Sequence, residues 1–335
     1  MVYWHAMSRA LIVGAAGQDG SYLAELLLAR GEEVWGLVRP GGRTSLARLE
    51  AVRGKIRLLE GNLTDQASLD AAIEASRPEE LYNLASQSFM PATWEEVVRT
   101  GDEAGLGTAR LLEGIRRLAP KARFYQASSS EIFGRVLTSP QNEETPLRPR
   151  SPYGAAKVYA HHLVGQYRER YGLFAVSGIC YNHESPRRDP VFVTRKITRA
   201  AASVKLGLQS ELRLGDLSAR RDWGFAGDYV EAMRQMLRHE RPEDFVISSG
   251  ETHSVQDFIE TAFNSVGLDW RKHVVVDESL RRPPETVELR GDSSKARRLL
   301  GWKPRVGFQE LVESMVRWDL ENLGSGRRGL SSDKA

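Results

Sequence analysis

The sequence predicts an α/β protein: a doubly wound parallel sheet with a smaller, discontinuous C-terminal cap. Three observations predict it. Short apolar runs alternate with amphipathic stretches through the first half of the chain, three glycines stand where the first run meets the first amphipathic stretch, and this order loosens after residue 181 into Arg-, Pro- and Gly-rich loops. Strands alternating with helices of this length imply parallel pairing and right-handed crossovers, and ligands then bind beyond the carboxyl ends of the strands.

The elements follow in order. "ALIVGAAG" (10–17) reads as a strand, "GSYLAELLLARG" (20–31) as a helix, and "EVWGLVR" (33–39) and "KIRLLEGNL" (55–63) as two further strands. "DQASLDAAIEASR" (65–77) is a helix and "ELYNLAS" (80–86) the fourth strand; "GTARLLEGIRRLA" (107–119) is again helical and "RFYQASSS" (123–130) a strand. "SPYGAAKVYAHHLVGQYRERYG" (151–172) opens with a Ser-Pro helix start and runs into "FAVSGICYN" (174–182), the sixth strand. Beyond it "VTRKITRAAASVKLG" (193–207) is helical, "DYVEAMRQMLRH" and "DFVISSG" return the chain to the sheet, and three later helices start near residues 254, 293 and 308. The division expected is an extension at 1–7, a Rossmann-type domain from 8–181 plus about 222–250, a cap from about 182–221 plus 251–323, and a flexible tail at 324–335.

Composition narrows the function. The 335 residues are 41% apolar and 27% charged, an ordinary soluble balance for one large or two smaller domains. Lys and Arg number 47 against 44 Asp and Glu, a net +3, part of which comes from Arg327, Arg328 and Lys334 in the tail. A body so nearly neutral speaks against a nucleic-acid partner. The single cysteine, Cys180, forms no intrachain disulfide and fits a reducing cytoplasm; no apolar stretch approaches the roughly 18 residues of a membrane span. A soluble, cytoplasmic protein is expected.

Gly14, Gly17 and Gly20 follow a strand and open a helix, where small residues let the backbone approach a pyrophosphate at the positive helix end. At the tip of the second strand, where NAD sites carry Asp or Glu, stand Arg39 and, nearby, Arg43; a guanidinium suits the 2′-phosphate of NADP, and a solvated loop is the alternative. Asn62 and Leu63 are placed to flank the adenine, and Leu84, Ala85 and Ser86 to line the nicotinamide side; each also fits plain packing. Tyr153 and Lys157 lie four apart on one helix face, and an ammonium there is expected to lower the phenol from its usual value near 10. Ser129 and Glu131, at a strand end, are placed to hydrogen-bond a hydroxyl being oxidised and to move a proton at the neighbouring carbon. Arg187 with Arg188, Arg195 with Lys196, Arg220 with Arg221 and Arg281 with Arg282 collectively suit an anionic, diphosphate substrate. His161, His162 and His183 have no metal-ligand partners at informative spacing, so no metal is expected.

The strings "LIVGAAGQDGSYLAELLL", "SPYGAAK", "NHESPRR", "FVTRKI", "RRDWG" and "LGWKPR" resemble the GDP-mannose 4,6-dehydratase family of extended short-chain dehydrogenases/reductases, over about residues 8–320. The resemblance implies a homodimer or homotetramer with bound NADP that converts GDP-mannose to GDP-4-keto-6-deoxymannose, a step toward GDP-fucose or GDP-rhamnose. It makes the chain a lyase that recycles its NADP. It further implies that Tyr153 with Lys157 oxidises carbon 4 with Ser129 alongside, and that Glu131 removes the carbon-5 proton. Water then leaves and hydride returns to carbon 6. By the same resemblance Gln18, Asp19, His183 and Arg188 contact the cofactor, and Ser88, Asn182, Val193, Lys196, Gly215, Arg221, Arg282 and Glu285 contact the GDP-sugar. Four positions depart from the family pattern: Ser129 for Thr, Asn62 for Asp, Phe89 for His in some members, and Ala104 for Asp. A GDP-hexose reductase or epimerase of the same superfamily is the close alternative, although a ketone reductase needs hydride transfer and a proton donor but no carbon-5 base; a non-catalytic dinucleotide sensor is the remote one.

Overall fold

The computed structural model describes residues 8–41, 46–86, 89–280 and 287–324. The chain runs through β1 (Arg9–Val13), α1 (Gln18–Ala29), β2 (Glu33–Val38), β3 (Arg57–Glu60), α2 (Gln66–Ser76) and β4 (Glu80–Asn83). A broken helical stretch follows, made of α3 (Met90–Glu95), α4 (Val97–Thr100), a π-helical turn (Gly101–Leu106) and α5 (Gly107–Leu118). Next come β5 (Arg123–Ser129), α6 (Pro152–Tyr171), β6 (Ala175–Cys180), β7 (Asn182–Glu184), α7 (Val193–Lys205), β8 (Leu212–Leu214), β9 (Arg220–Arg221), β10 (Trp223–Phe225) and α8 (Ala226–Arg238). The described chain closes with β11 (Phe245–Ile247), β12 (His253–Ser254), α9 (Val255–Asn264), β13 (Val274–Val276), α10 (Ser294–Leu300) and α11 (Phe308–Gly324).

Seven strands pair in parallel in the order β11-β6-β5-β4-β1-β2-β3, the Rossmann-type sheet expected. The winding reverses between β1 and β4, so the crevice that receives a ligand opens above Val13 and Asn83. Alternation along β1 explains why both faces are covered: Ala10 and Ile12 enter one core with Leu23 and Leu27 of α1 and Met233 and Met236 of α8, while Leu11 and Val13 enter the other with Ile73 of α2 and Leu111 and Ile115 of α5. Each such large side chain contributes about 1.5–3 kcal/mol on burial. A separate core gathers Ile197 of α7, Phe258 and Phe263 of α9, Leu311 and Met315 of α11, and Trp223.

The Ser-Pro helix start is as expected: Ser151 accepts from the Gly154 amide at 3.0 Å, Pro152 is the first residue of α6, and Gly172 ends it with φ +66°. Two features differ from the sequence expectation. The helix expected from residue 107 is preceded by helical turns from residue 90, and β7–β10, β9–β12 and β8–β13 form small pairs of two or three residues, too short to leave a period in the sequence. Among the described residues no helix is long and apolar enough to cross a membrane.

Candidate active site

The glycine turn is built by exclusion of side chains. Gly14 leaves β1 at φ +88°, and a Cβ there would lie 2.9 Å from the Ala85 amide nitrogen; a Cβ on Gly20 would lie 2.3 Å from the Gly14 carbonyl oxygen. The Gly17 amide donates to that same carbonyl at 3.0 Å, and no side chain caps α1. A backbone cradle at an uncapped helix start fits the pyrophosphate of a dinucleotide. Leu84 donates its amide to Val13 at 3.0 Å, which sets Leu84, Ala85 and Ser86 beside the turn. Asn62 accepts from the Thr64 amide at 3.2 Å, and Leu63 is buried against Gly107, so Leu63 belongs to the packing between β3 and α5.

Gln18 and Asp19 turn toward the segment after β6. Asp19 Oδ2 lies 2.8 Å from His183 Nε2, His183 Nδ1 lies 2.7 Å from the Tyr181 carbonyl, Gln18 Nε2 donates to the His183 carbonyl at 3.0 Å, and Ser185 donates to Gln18 Oε1 at 2.8 Å. Burial works against both charges, yet the pair prevails: Asp19, held by His183, sits below its ordinary value, and His183, held by Asp19 and the Tyr181 carbonyl, sits above its own. Arg188 pairs with Glu184 at 3.3 Å and lies over the Phe192 ring at 3.6 Å. Arg39 donates to Glu103 at 2.9 Å. Arg43, Ser88, Arg281, Arg282 and Glu285 lie outside the described residues.

Ser129 ends β5, Glu131 lies in the single 3₁₀ turn that follows, and Tyr153 and Lys157 stand in the first two turns of α6. Ser129 lies near enough to the Tyr153 hydroxyl to favour its charged form and accepts from the Glu131 amide at 3.2 Å. Lys157 Nζ donates to the Ala127 carbonyl at 2.7 Å and lies 5.5 Å from the centre of the Tyr153 ring. The expected depression of the phenol is corrected here. Burial pushes Tyr153 up and the Glu131 charge adds to it, against the Ser129 side chain, while burial lowers Lys157 from 10.5 to about 8. Desolvation is the largest influence on the phenol, and the Lys157 ammonium turns one of its protons to the Ala127 backbone carbonyl.

Glu131 also lines a cavity of about 580 Å³ together with Asn182, Val193, Lys196, Gly215 and Arg221, so five of the expected sugar-nucleotide residues share one space with it. Its Oε2 is buried without a hydrogen-bond partner among the described residues. The collective cation signal resolves into two kinds. Arg187 pairs with Glu25 at 2.7 Å and Arg195 is buried against Asp319, so these two hold the fold together, whereas Arg220, paired with Glu288 at 3.2 Å, lines the cavity with Lys196 and Arg221. Arg150, another cavity residue, was missed, although its place just before the Ser151 cap was the available signal. Among the described residues no group of three or more His, Cys, Asp or Glu is arranged to hold a metal.

The family model for GDP-mannose 4,6 dehydratase matches residues 11–315. The chain belongs to the GDP-mannose 4,6-dehydratase family. Among the family's curated members, GDP-mannose 4,6 dehydratase 1 of Arabidopsis thaliana is 48% identical over 324 residues, covering 93% of this chain and 90% of its own. The Homo sapiens enzyme of that name is 47% identical over 339 residues, covering 93% and 91%. The fold recurs in the dTDP-glucose 4,6-dehydratase of Bacillus anthracis in complex with NAD, at 22% identity and a TM-score of 0.83 over 95% of this chain and 98% of that one. It recurs also in RMD from Pseudomonas aeruginosa complexed with NADPH, at 24% identity and a TM-score of 0.80 over 94% and 100%. One expectation is corrected: in place of a lyase defined by recycled NADP, the name these family members share is that of a dehydratase, a hydro-lyase, and it specifies no NADP.

Proposed function

We propose that the chain converts GDP-mannose to GDP-4-keto-6-deoxymannose with NADP as its dinucleotide. The observation that carries this reading is Glu131: a carboxylate with one buried, unpartnered oxygen, facing a cavity and acting on the charge of Tyr153. A base in that place serves elimination, whereas reduction of a ketone needs only the proton donor. The name shared by relatives 43–48% identical supports the same choice.

In this reading the sheet domain (8–181 and about 222–250) holds the dinucleotide and the cap (about 182–221 and 251–323) the GDP-sugar. Gly14, Gly17 and Gly20 seat the pyrophosphate, and Arg39 meets the 2′-phosphate. When bound, the nicotinamide supplies the hydride acceptor for carbon 4 and the donor for carbon 6. Ser129 holds the carbon-4 hydroxyl and Tyr153 takes its proton as phenolate, which the positive charge of an oxidised nicotinamide would favour against the burial that holds the phenol up; Lys157, still mostly charged at neutral pH, faces the same ring. Glu131 takes the carbon-5 proton. That proton is the one the hydroxyl leaving carbon 6 requires, so loss of water balances with a single carboxyl group, and the proton taken up by Tyr153 balances the one that carbon 5 must regain when hydride arrives at carbon 6. Lys196 and Arg221 bring positive charge to the cavity for the diphosphate.

Incubation of the purified protein with GDP-mannose, without added cofactor, tests the proposal by mass spectrometry and NMR of the nucleotide sugar. Loss of one water with a new methyl at carbon 6 is expected, and no such product with Glu131→Gln. An unchanged sugar, in wild-type protein shown to contain NADP, overturns it.

A further inference from the structure

We infer that Arg99 is a second phosphate-binding arginine, set beside Arg39 by Glu103, and that the two together select NADP over NAD. The inference rests on the NADP reading above. Arg39 follows the last residue of β2, at the ribose end of the crevice, whereas Arg99 lies sixty residues later in α4. The π turn 101–106 joins them. It turns Glu103 inward to 4% side-chain exposure, while Arg39 and Arg99 stay 39% and 51% exposed. π turns inside helices recur at functional sites.

One oxygen, Glu103 Oε1, accepts from Arg39 Nη2 and from Arg99 Nε, each at 2.9 Å. The two donor nitrogens are therefore no farther apart than those two bonds laid end to end. Each guanidinium carries five N–H donors, and Glu103 takes one from each; Glu96 takes one more from Arg99 at 3.1 Å, at the exposed rim where solvent screens it. Donors remain on both arginines for a phosphate. An arginine alone on the exposed segment that precedes Pro40 and Gly41 would lose rotamer freedom on binding; anchored on a buried carboxylate, much of that loss has already occurred. Ala104, where the family resemblance leads one to expect Asp, is buried and apolar, so in this chain the carboxylate stands one residue earlier.

Calorimetric titration of the protein with NADP and with NAD tests the inference. Arg99→Ala is expected to weaken NADP about tenfold and leave NAD within about twofold, the effect of one partly exposed charge-assisted hydrogen bond. Glu103→Gln separates positioning from simple charge. Removing a negative charge near a phosphate would by itself raise the NADP preference, whereas loss of the anchor lowers it, and the lower ratio is expected. A raised ratio removes Glu103's positioning role, and an Arg99→Ala protein that loses both dinucleotides equally, or neither, overturns the inference. If Arg39→Ala shifts the ratio and Arg99→Ala does not, the NADP reading stands and the inference alone falls. A wild type that binds NAD as tightly as NADP defeats both.

Discussion

Lys157 shows what burying one charged residue costs. Its side chain is 3% exposed, and burial brings it from 10.5 to about 8, a depression worth about 3 kcal/mol. Below about 8 the folded lysine carries its charge at full cost. Between there and 10.5 the unfolded chain binds the extra proton, so wild-type stability rises with pH. Lys157→Met keeps the length of the side chain and removes the charge, but it leaves the Ala127 carbonyl without its donor, an offset of about 1 kcal/mol. The variant is expected to be more stable by about 2 kcal/mol at pH 7, with the gap closing by pH 10.5, and to lose turnover. Denaturant unfolding at the two pH values checks this, and a gap independent of pH would dismiss burial as its cause. The Tyr153–Lys157 spacing was legible because one helix turn is fixed by geometry. The direction of the Tyr153 shift was not, because burial depends on β5 and β6, which pack there from distant sequence.

At the scale of elements, the helices that were legible bury one apolar stripe. α6 carried both its cap and its terminal glycine in the sequence, and α5 its apolar periodicity. The turns from residue 90 were missed because their pattern is inverted: Trp94 and Val98 are 63% and 86% exposed, while Glu103 is buried. No window that seeks buried apolar residues finds such a helix. The Arg39–Glu103–Arg99 link was hidden for the same reason. The glycine turn was legible because its requirement is local, namely absence of a Cβ. Gly20→Ala is a direct test of that requirement, since the new methyl would meet the Gly14 carbonyl at 2.3 Å and the Ala15 Cα at 2.7 Å, both of them backbone. A loss of about 1–3 kcal/mol is expected, together with a lower content of bound dinucleotide than in the wild type. Thermal unfolding and the nucleotide content of the purified variant measure both, and a fully loaded variant of wild-type stability would show that the turn yields without cost.

Across the whole molecule, His183 is where the glycine turn meets the chain that leads to the cavity. Asp19 and Gln18 bind it from α1, Tyr229 of α8 stacks on its ring at 4.6 Å, and its neighbour Asn182 lines the cavity. Sequence alone placed these residues near a cofactor by resemblance; the contact between positions 19 and 183 leaves no mark in local periodicity. The ion pair has a definite pH window. His183 lies above its ordinary 6.5, so its contribution is complete below 6.5 and is lost as pH rises through the higher folded value; Asp19 lies below its ordinary 3.8, so its contribution is complete above 3.8 and is lost as pH falls through the lower one. Full stabilisation therefore spans about pH 4 to 6.5. Asp19→Asn keeps the shape but removes the charge, leaving a buried histidine that burial then drives neutral. The variant is expected to be less stable by about 1–3 kcal/mol at pH 5.5, with a smaller deficit at pH 8.5, because the wild-type histidine gives up charge as pH rises toward and through its raised folded value. Unfolding of both proteins across that range decides it. An equal deficit at both pH values would mean that Asp19 holds His183 by hydrogen bonding alone, and the two parts of the molecule would then be joined without any dependence on protons.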